Sequence, residues 1–186
     1  MLCAAEPTTP EAYDLIHEGA IALAKASSAG MRVDVDYLDR QIDETAARIE
    51  EGTRRLRDTD IYTEWRKCYG SEVNLGSREQ LATVLFDRLG YESSARTETG
   101  RQKTAALTLE AVAGDVPFSR NFLKIEKLKK ARNTYLLGIR EWTHGGYLRP
   151  NFGLHTTRTF RSSAYEPNFQ NIPIRDPRIG KLIRRA

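Results

Sequence analysis

Four side chains in the eleven residues 161–171, Arg161, Asn168, Gln170 and Asn171, are hydrogen-bond donors set among prolines. Every Watson–Crick pair shows acceptors in the minor groove, at purine N3 and pyrimidine O2. A held array of Arg, Asn and Gln donors can therefore grip a duplex of any sequence and still sense a mispaired end. The ordinary alternative is that loop amides satisfy backbone groups of their own loop. A second set is Arg120, Lys124, Lys127 and Lys130. At about 100° per residue these cations gather on one helix face, opposite Phe118, Phe122, Ile125, Leu128, Leu136 and Ile139. Glu126 is the only acid between Arg120 and Arg140. Like charges at this spacing repel, so the face is costly unless an anion lies against it. A regular anionic lattice such as a duplex backbone would do so, and a solvated lysine face is the alternative.

Groups for bond-making chemistry are scarce around these donors. Asp34 and Asp36, and Asp39 and Asp43, fall at helix starts and faces, and Asp58 and Asp60 in a helix-end segment. His17, His144 and His155 lack a persuasive Ser or Cys partner, and no phosphate-cradling glycine loop is present. Two cysteines, Cys3 and Cys68, make no disulfide framework, and no His/Cys cluster has zinc spacing. No run of 18 apolar residues exists, and the first twenty residues lack a basic region followed by an apolar one. The expected classes therefore exclude secreted mini-protein, membrane protein and zinc module.

Charge is unevenly placed over the 186 residues. Residues 1–53 carry 4 Lys+Arg against 11 Asp+Glu, or −7, and the other 133 carry 25 against 14, or +11. The last 40 carry 8 cations against 2 acids. The basic body is the natural candidate for phosphate contact.

The elements that must position these groups are mostly helical. Thr8 and Glu11 have capping-box spacing, Pro10 suits a first helical position, and Gly30 a stop, with Leu15, Ile16, Ile21, Leu23 and Ala24 as the apolar stripe. After an extended link at 31–35, Asp34 or Asp36 caps a long helix carrying Leu38, Ile42, Ile49 and Leu56. Ser77 and Gln80 open a third helix, buried through Leu81, Val84, Leu85 and Leu89 and ended by Gly90. Residues 91–104 read as an exposed loop and 105–113 as a short helix. The helix from about Pro117 to Arg140 is roughly 35 Å long. Residues 147–160 alternate as two short strands, with a hairpin turn near Pro150–Gly153. Residues 164–177 are irregular, and 179–186 begin a helix.

On these residues the chain resembles the front part of a family A DNA polymerase, the DNA polymerase I type. Arg161-Ser-Ser, Pro167-Asn-Phe-Gln-Asn-Ile-Pro-Ile-Arg and Ile183-Arg-Arg-Ala are similar to that family's Arg-Leu-Ser-Ser…Pro-Asn-Leu-Gln-Asn-Ile-Pro…Ile-Arg motif. Asn74-Leu-Gly-Ser-Arg-Glu-Gln-Leu, Thr97-Glu-Thr-Gly-Arg-Gln-Lys-Thr, Lys127-Leu-Lys-Lys-Ala-Arg-Asn-Thr-Tyr and Gly30-Met-Arg-Val-Asp resemble further stretches of it. The likeness runs over about 11–186, with Phe160, Ser162 and Gly76 where the family usually has Gly, Leu and Asn.

The resemblance implies a mainly α (α+β) fold, a helical thumb of long antiparallel helices with a short β-hairpin belonging to an incomplete palm. Residues 1–36 would be palm-associated, 37–146 the thumb, and 147–186 the start of the palm. It implies that Arg101, Lys103 and Thr104 touch DNA at the thumb tip and that Lys130 and Arg132 hold primer–template phosphates; Lys124 and Lys127 join the DNA-binding set from the cation face. Arg161 would reach the minor groove at the primer end, and Asn168, Gln170 and Asn171 would contact both strands there. The family's metal-binding aspartates, the first in Asp-x-Ser-x-x-Glu, have no counterpart in the sequence. The expectation is thus a fragment or subunit, inactive alone, with no cofactor in this chain and Mg²⁺ only in the complete polymerase. Its partners would be primer–template DNA and a second chain with the fingers and the rest of the palm, as in a split, phage-like gene. Its place would be the bacterial or phage-infected cytoplasm, in replication or repair. A non-catalytic, sequence-independent nucleic-acid-binding protein and an interaction scaffold for an acidic partner remain as alternatives. Residues 147–186 are expected to lack strand neighbours.

Overall fold

Pro10 fixes the backbone for a first helical turn, and Thr9 turns its hydroxyl back to accept from the Ala12 N–H at 3.2 Å. The cap is thus Thr9 and not Thr8, which lies outside the residues described by this computed structural model: 9–91, 117–154, 161–168, 170, 172 and 177–185. Helix α1 runs Pro10–Ala29 and ends on Gly30, whose φ of 70° suits glycine. Strand β1 (Met31–Arg32) follows. Asp34, the nearer of the two expected caps, accepts from the Tyr37 N–H at 2.9 Å and starts α2 (Val35–Arg57).

A helix absent from the sequence reading comes next. Thr59 caps α3 (Asp60–Tyr69), so Asp60 opens a helix instead of trailing one. Trp65 on α3 is fully buried. Its Nε1 donates to Gln80 Oε1 at 2.9 Å, the same oxygen accepts from Asn74 N at 2.9 Å, and Gln80 Nε2 donates to the Glu72 carbonyl at 3.0 Å. Ser77 does cap α4 (Arg78–Ala82), accepting from Gln80 N at 3.3 Å. The Gln80 side chain ties α3 to the 72–74 loop and does not close a capping box. Past Ala82 the helix widens into a π turn over Thr83–Arg88. The wider turn advances each residue by a smaller angle, so Phe86 enters the core and Leu89, expected inside, is 36% exposed.

The expected long helix is α5 (Pro117–Lys130), a second π turn (Ala131–Leu136) and α6 (Leu137–Trp142). A two-residue turn at Gly145-Gly146, with φ of 60° and 78°, joins β2 (Thr143–His144) to β3 (Tyr147–Leu148). The hairpin is therefore here and not at 150–153. β3 is the centre of a three-stranded antiparallel sheet, β1-β3-β2, so residues 147–148 do have strand neighbours. β4 (Asn151–Gly153) pairs with β5 (Ser163–Tyr165), and α7 spans Pro177–Arg184.

The chain divides into two compact units, one of residues 1–43 with 131–186, the other 44–130. In the first, Val33, Leu38, Ile42, Leu136, Leu148 and Ile183 form the core, and Arg140 pairs with Asp39 at 2.7 Å. Helix α1 lies along β4 with no residue fully buried; Ser27 Oγ donates to the Pro150 carbonyl at 2.6 Å. Leu15 and Ile21, expected in its apolar stripe, are 74% and 44% exposed, and Ile16 and Leu23 are the half-buried positions. In the second unit the core gathers Leu56, Trp65, Leu81, Val84, Leu85, Phe86, Phe118, Phe122, Leu123 and Ile125. Phe118 stacks on Phe122 and tilts against Trp65, each at 6.3 Å between centroids. Helix α2 supplies both cores: Leu38 and Ile42 to one, Leu56 to the other.

Candidate nucleic-acid interface

Helix α5 is fixed by its aromatic side. With Phe118, Phe122 and Ile125 buried, the opposite arc must face solvent, and Arg120, Lys124, Lys127 and Lys130 are all exposed. Consecutive members sit three or four residues apart, about 5–6 Å between Cβ atoms. Glu126 leaves the arc to pair with Arg78 at 2.9 Å. No carboxylate among the described residues lies within ion-pair distance of the four cations. Three like-charged neighbour pairs at roughly 0.2–0.5 kcal/mol each destabilise the bare row by about 1 kcal/mol, which a polyanion would relieve. Arg132, in the π turn, is half-buried; its Nη1 donates to Asn133 Oδ1 at 3.2 Å.

The donor loop grows from β5. Ser163 Oγ donates to the Gly153 carbonyl at 3.2 Å, locking β5 to β4. Gln170 spans the strand's start: its Oε1 accepts from Ala164 N at 3.1 Å and its Nε2 donates to the Ser162 carbonyl at 3.3 Å. Gln170 thus does what loop amides ordinarily do, holding backbone. Arg161 and Asn168 are exposed on either side of that brace. The loop passes through Glu166, at φ 50°, before Pro167. Structure therefore brings Lys124, Lys127 and Lys130 onto one face, with Arg120 extending it, and Arg161, Asn168 and Gln170 onto one strand and loop. Arg101, Lys103, Thr104 and Asn171 lie outside the described residues, as do the 92–104 loop and the 105–113 helix.

Among the described residues no three His, Cys, Asp or Glu side chains come together as a metal-holding group. A groove of about 590 Å³ between α1 and the β4-β5 pair is lined by Ile16, Leu23, Phe152, Leu154 and Tyr165, with Arg149 at its rim. Among the described residues its lining holds no carboxylate, imidazole or thiol. No described helix is long and apolar enough to cross a membrane.

Among solved structures, the POL domain of Pol1 from M. smegmatis, in complex with DNA primer-template and dNTP, matches at a TM-score of 0.68 and 30% identity, over 87% of this chain and 27% of that one. The fold is that of part of a polymerase domain, mainly α with small antiparallel sheets. The thermostable DNA polymerase I of Thermus aquaticus is 37% identical over 170 residues, and DNA polymerase I of Streptococcus pneumoniae 33% over 177. Those alignments cover 88% and 94% of this chain, which spans 19% of the length of each relative. Residues 39–186 match the model of DNA polymerase family A, and the chain belongs to that family.

Proposed function

We propose that this chain is the DNA-gripping part of a family A DNA-directed DNA polymerase, holding primer–template for template-directed nucleotidyl transfer in replication or repair. Residues 37–146 act as the thumb and 147–186 as the start of the palm, with 1–36 beside it. Lys124, Lys127, Lys130 and Arg132 neutralise backbone phosphates, and Arg101, Lys103 and Thr104 add contacts at the thumb tip. Arg161, Asn168 and Asn171 meet minor-groove acceptors at the primer end, and Gln170 fixes the strand that carries them. The observation that carries this reading is the likeness to a polymerase domain captured with primer-template and dNTP. The exposed, acid-free cation row of α5 supports it.

Bond formation needs groups that this chain does not supply. The sequence contains no Asp-x-Ser-x-x-Glu motif. We assign the Mg²⁺-binding aspartates and the nucleotide-binding fingers to another part of the polymerase, in a second chain or a longer one, within a bacterial or phage-infected cytoplasm. This chain's residues bind and orient DNA and hold no resident cofactor.

The test is fluorescence anisotropy with a labelled primer–template between 50 and 200 mM salt, beside a primer-extension assay. With about four phosphates neutralised, log K against log[salt] should have a slope near −3.6, at about −0.9 per phosphate. Extension by this chain alone should be absent. A flat salt dependence, or Mg²⁺-dependent extension without added protein, refutes the reading.

A further inference from the structure

We propose a second nucleic-acid contact, for single strands, on the exposed face of the β1-β3-β2 sheet. The register places Arg32 opposite Tyr147 and Tyr147 opposite His144, so the three form one row across the sheet. Directly opposed residues share a face, and the row spans about 10 Å at the ordinary strand spacing. All three are exposed, whereas Leu148 and Thr143 in the next row are buried. Tyr147 is 41% exposed, and Arg149 lays its guanidinium over the ring, 5.1 Å from the centroid.

Arg149 is held in place there. Its Nε donates to the Ser28 carbonyl at 3.3 Å. Its aliphatic stem runs over Gly30, where an added Cβ would stand 2.8 Å from Arg149 Cγ. No carboxylate among the described residues forms an ion pair with Arg149, Arg32 or His144. The nearby Asp34 turns its carboxylate to the Tyr37 N–H.

An aromatic ring capped by a guanidinium plane is a stacking platform, and flanking cations can follow a phosphate chain. Base faces are hidden in a duplex and open in a single strand, so the platform favours single strands. A duplex or an acidic protein would use the charges and leave the ring idle. The proposal does not rest on the primer–template reading, which concerns other side chains.

The test measures binding of labelled oligo-dT and of a blunt duplex to the full chain by anisotropy. Tyr147→Leu should weaken oligo-dT about 5- to 140-fold, one stacked base being worth that much, and leave the duplex within twofold. Tyr147→Phe should keep the affinity for oligo-dT, and a far-UV spectrum unchanged in both variants shows that the fold persists. Arg149→Gln should lower the oligo-dT salt slope by about 0.7. The proposal is overturned if oligo-dT does not bind, if Tyr147→Leu leaves its affinity within twofold, if both probes weaken equally, or if polyglutamate of equal charge displaces oligo-dT as well as unlabelled oligo-dT does.

Discussion

Gly52→Ala should destabilise this chain, against the usual sign of such a change in a helix. Gly52 lies well inside α2, where alanine ordinarily gains about 0.8–1.0 kcal/mol over glycine. Here an added Cβ would stand 2.9 Å from both Cδ1 and Cγ1 of Ile125 on α5. Ile125 is only 5% exposed, so it has little room to retreat. Forcing one methyl into such a core costs about 1–3 kcal/mol. Taking about 2 for the clash and 1 for propensity leaves a net loss of about 1 kcal/mol, or 2–4 °C in Tm for a chain of this size. Urea and thermal unfolding followed by circular dichroism would measure it. Ile125→Val removes the Cδ1 atom and alone costs about 0.5–1.5 kcal/mol. In the double variant the losses should fall short of additive by at least about 0.5 kcal/mol. A Gly52→Ala chain more stable by about 1 kcal/mol, or strict additivity, would show that α2 and α5 do not pack this closely. The point matters for function because the packed side of α5 decides which side shows its cations.

Removing the Gln80 side chain, by Gln80→Ala, breaks three hydrogen bonds and orphans the buried Trp65 N–H; a loss of about 2–4 kcal/mol is expected in urea unfolding, and a loss under 1 would deny Gln80 its bridging role. Ser119 Oγ is fully buried with no hydrogen-bond partner among the described residues, so Ser119→Ala should raise stability by about 1 kcal/mol; destabilisation in the same assay would mean that the hydroxyl is satisfied. Changing Lys124, Lys127 and Lys130 together to Gln should flatten the duplex salt slope by about 2.7 units, and an unchanged slope would place the phosphates elsewhere.

Local chemistry was the legible part of the fold. Gly30, Asp34 and Ser77 were readable as helix ends because a cap depends on a few neighbouring residues. The cation face of α5 was readable because one period fixes both sides of a helix. Helix α3 escaped because it has only ten residues, and its main anchor, Trp65 to Gln80, joins positions fifteen apart. The hairpin was misplaced because Pro150 and Gly153 outweighed Gly145-Gly146, whose positive φ values make the turn. Leu89 left the apolar stripe because a π turn shifts the phase that a 3.6-residue period assumes. At the candidate site the four loop donors were visible as residue types, but the attachment of Gln170 to the backbone of β5 needs strand register. Arg149 over Tyr147 left a faint trace, two residues of one parity in an alternating run, and its meaning came only when β1 and β2 supplied Arg32 and His144 to the same row.

Helix α2 starts on its Asp34 cap among residues of one hydrophobic centre and finishes by burying Leu56 in another. A single rod rooted in two cores makes an awkward place to cut. Trimming the protein to 44–130 would begin partway along that rod, stripped of its capping carboxylate and with frayed N–H groups at its new end. A truncation meant to isolate residues 44–130 should therefore unfold at a lower urea concentration than the full chain does.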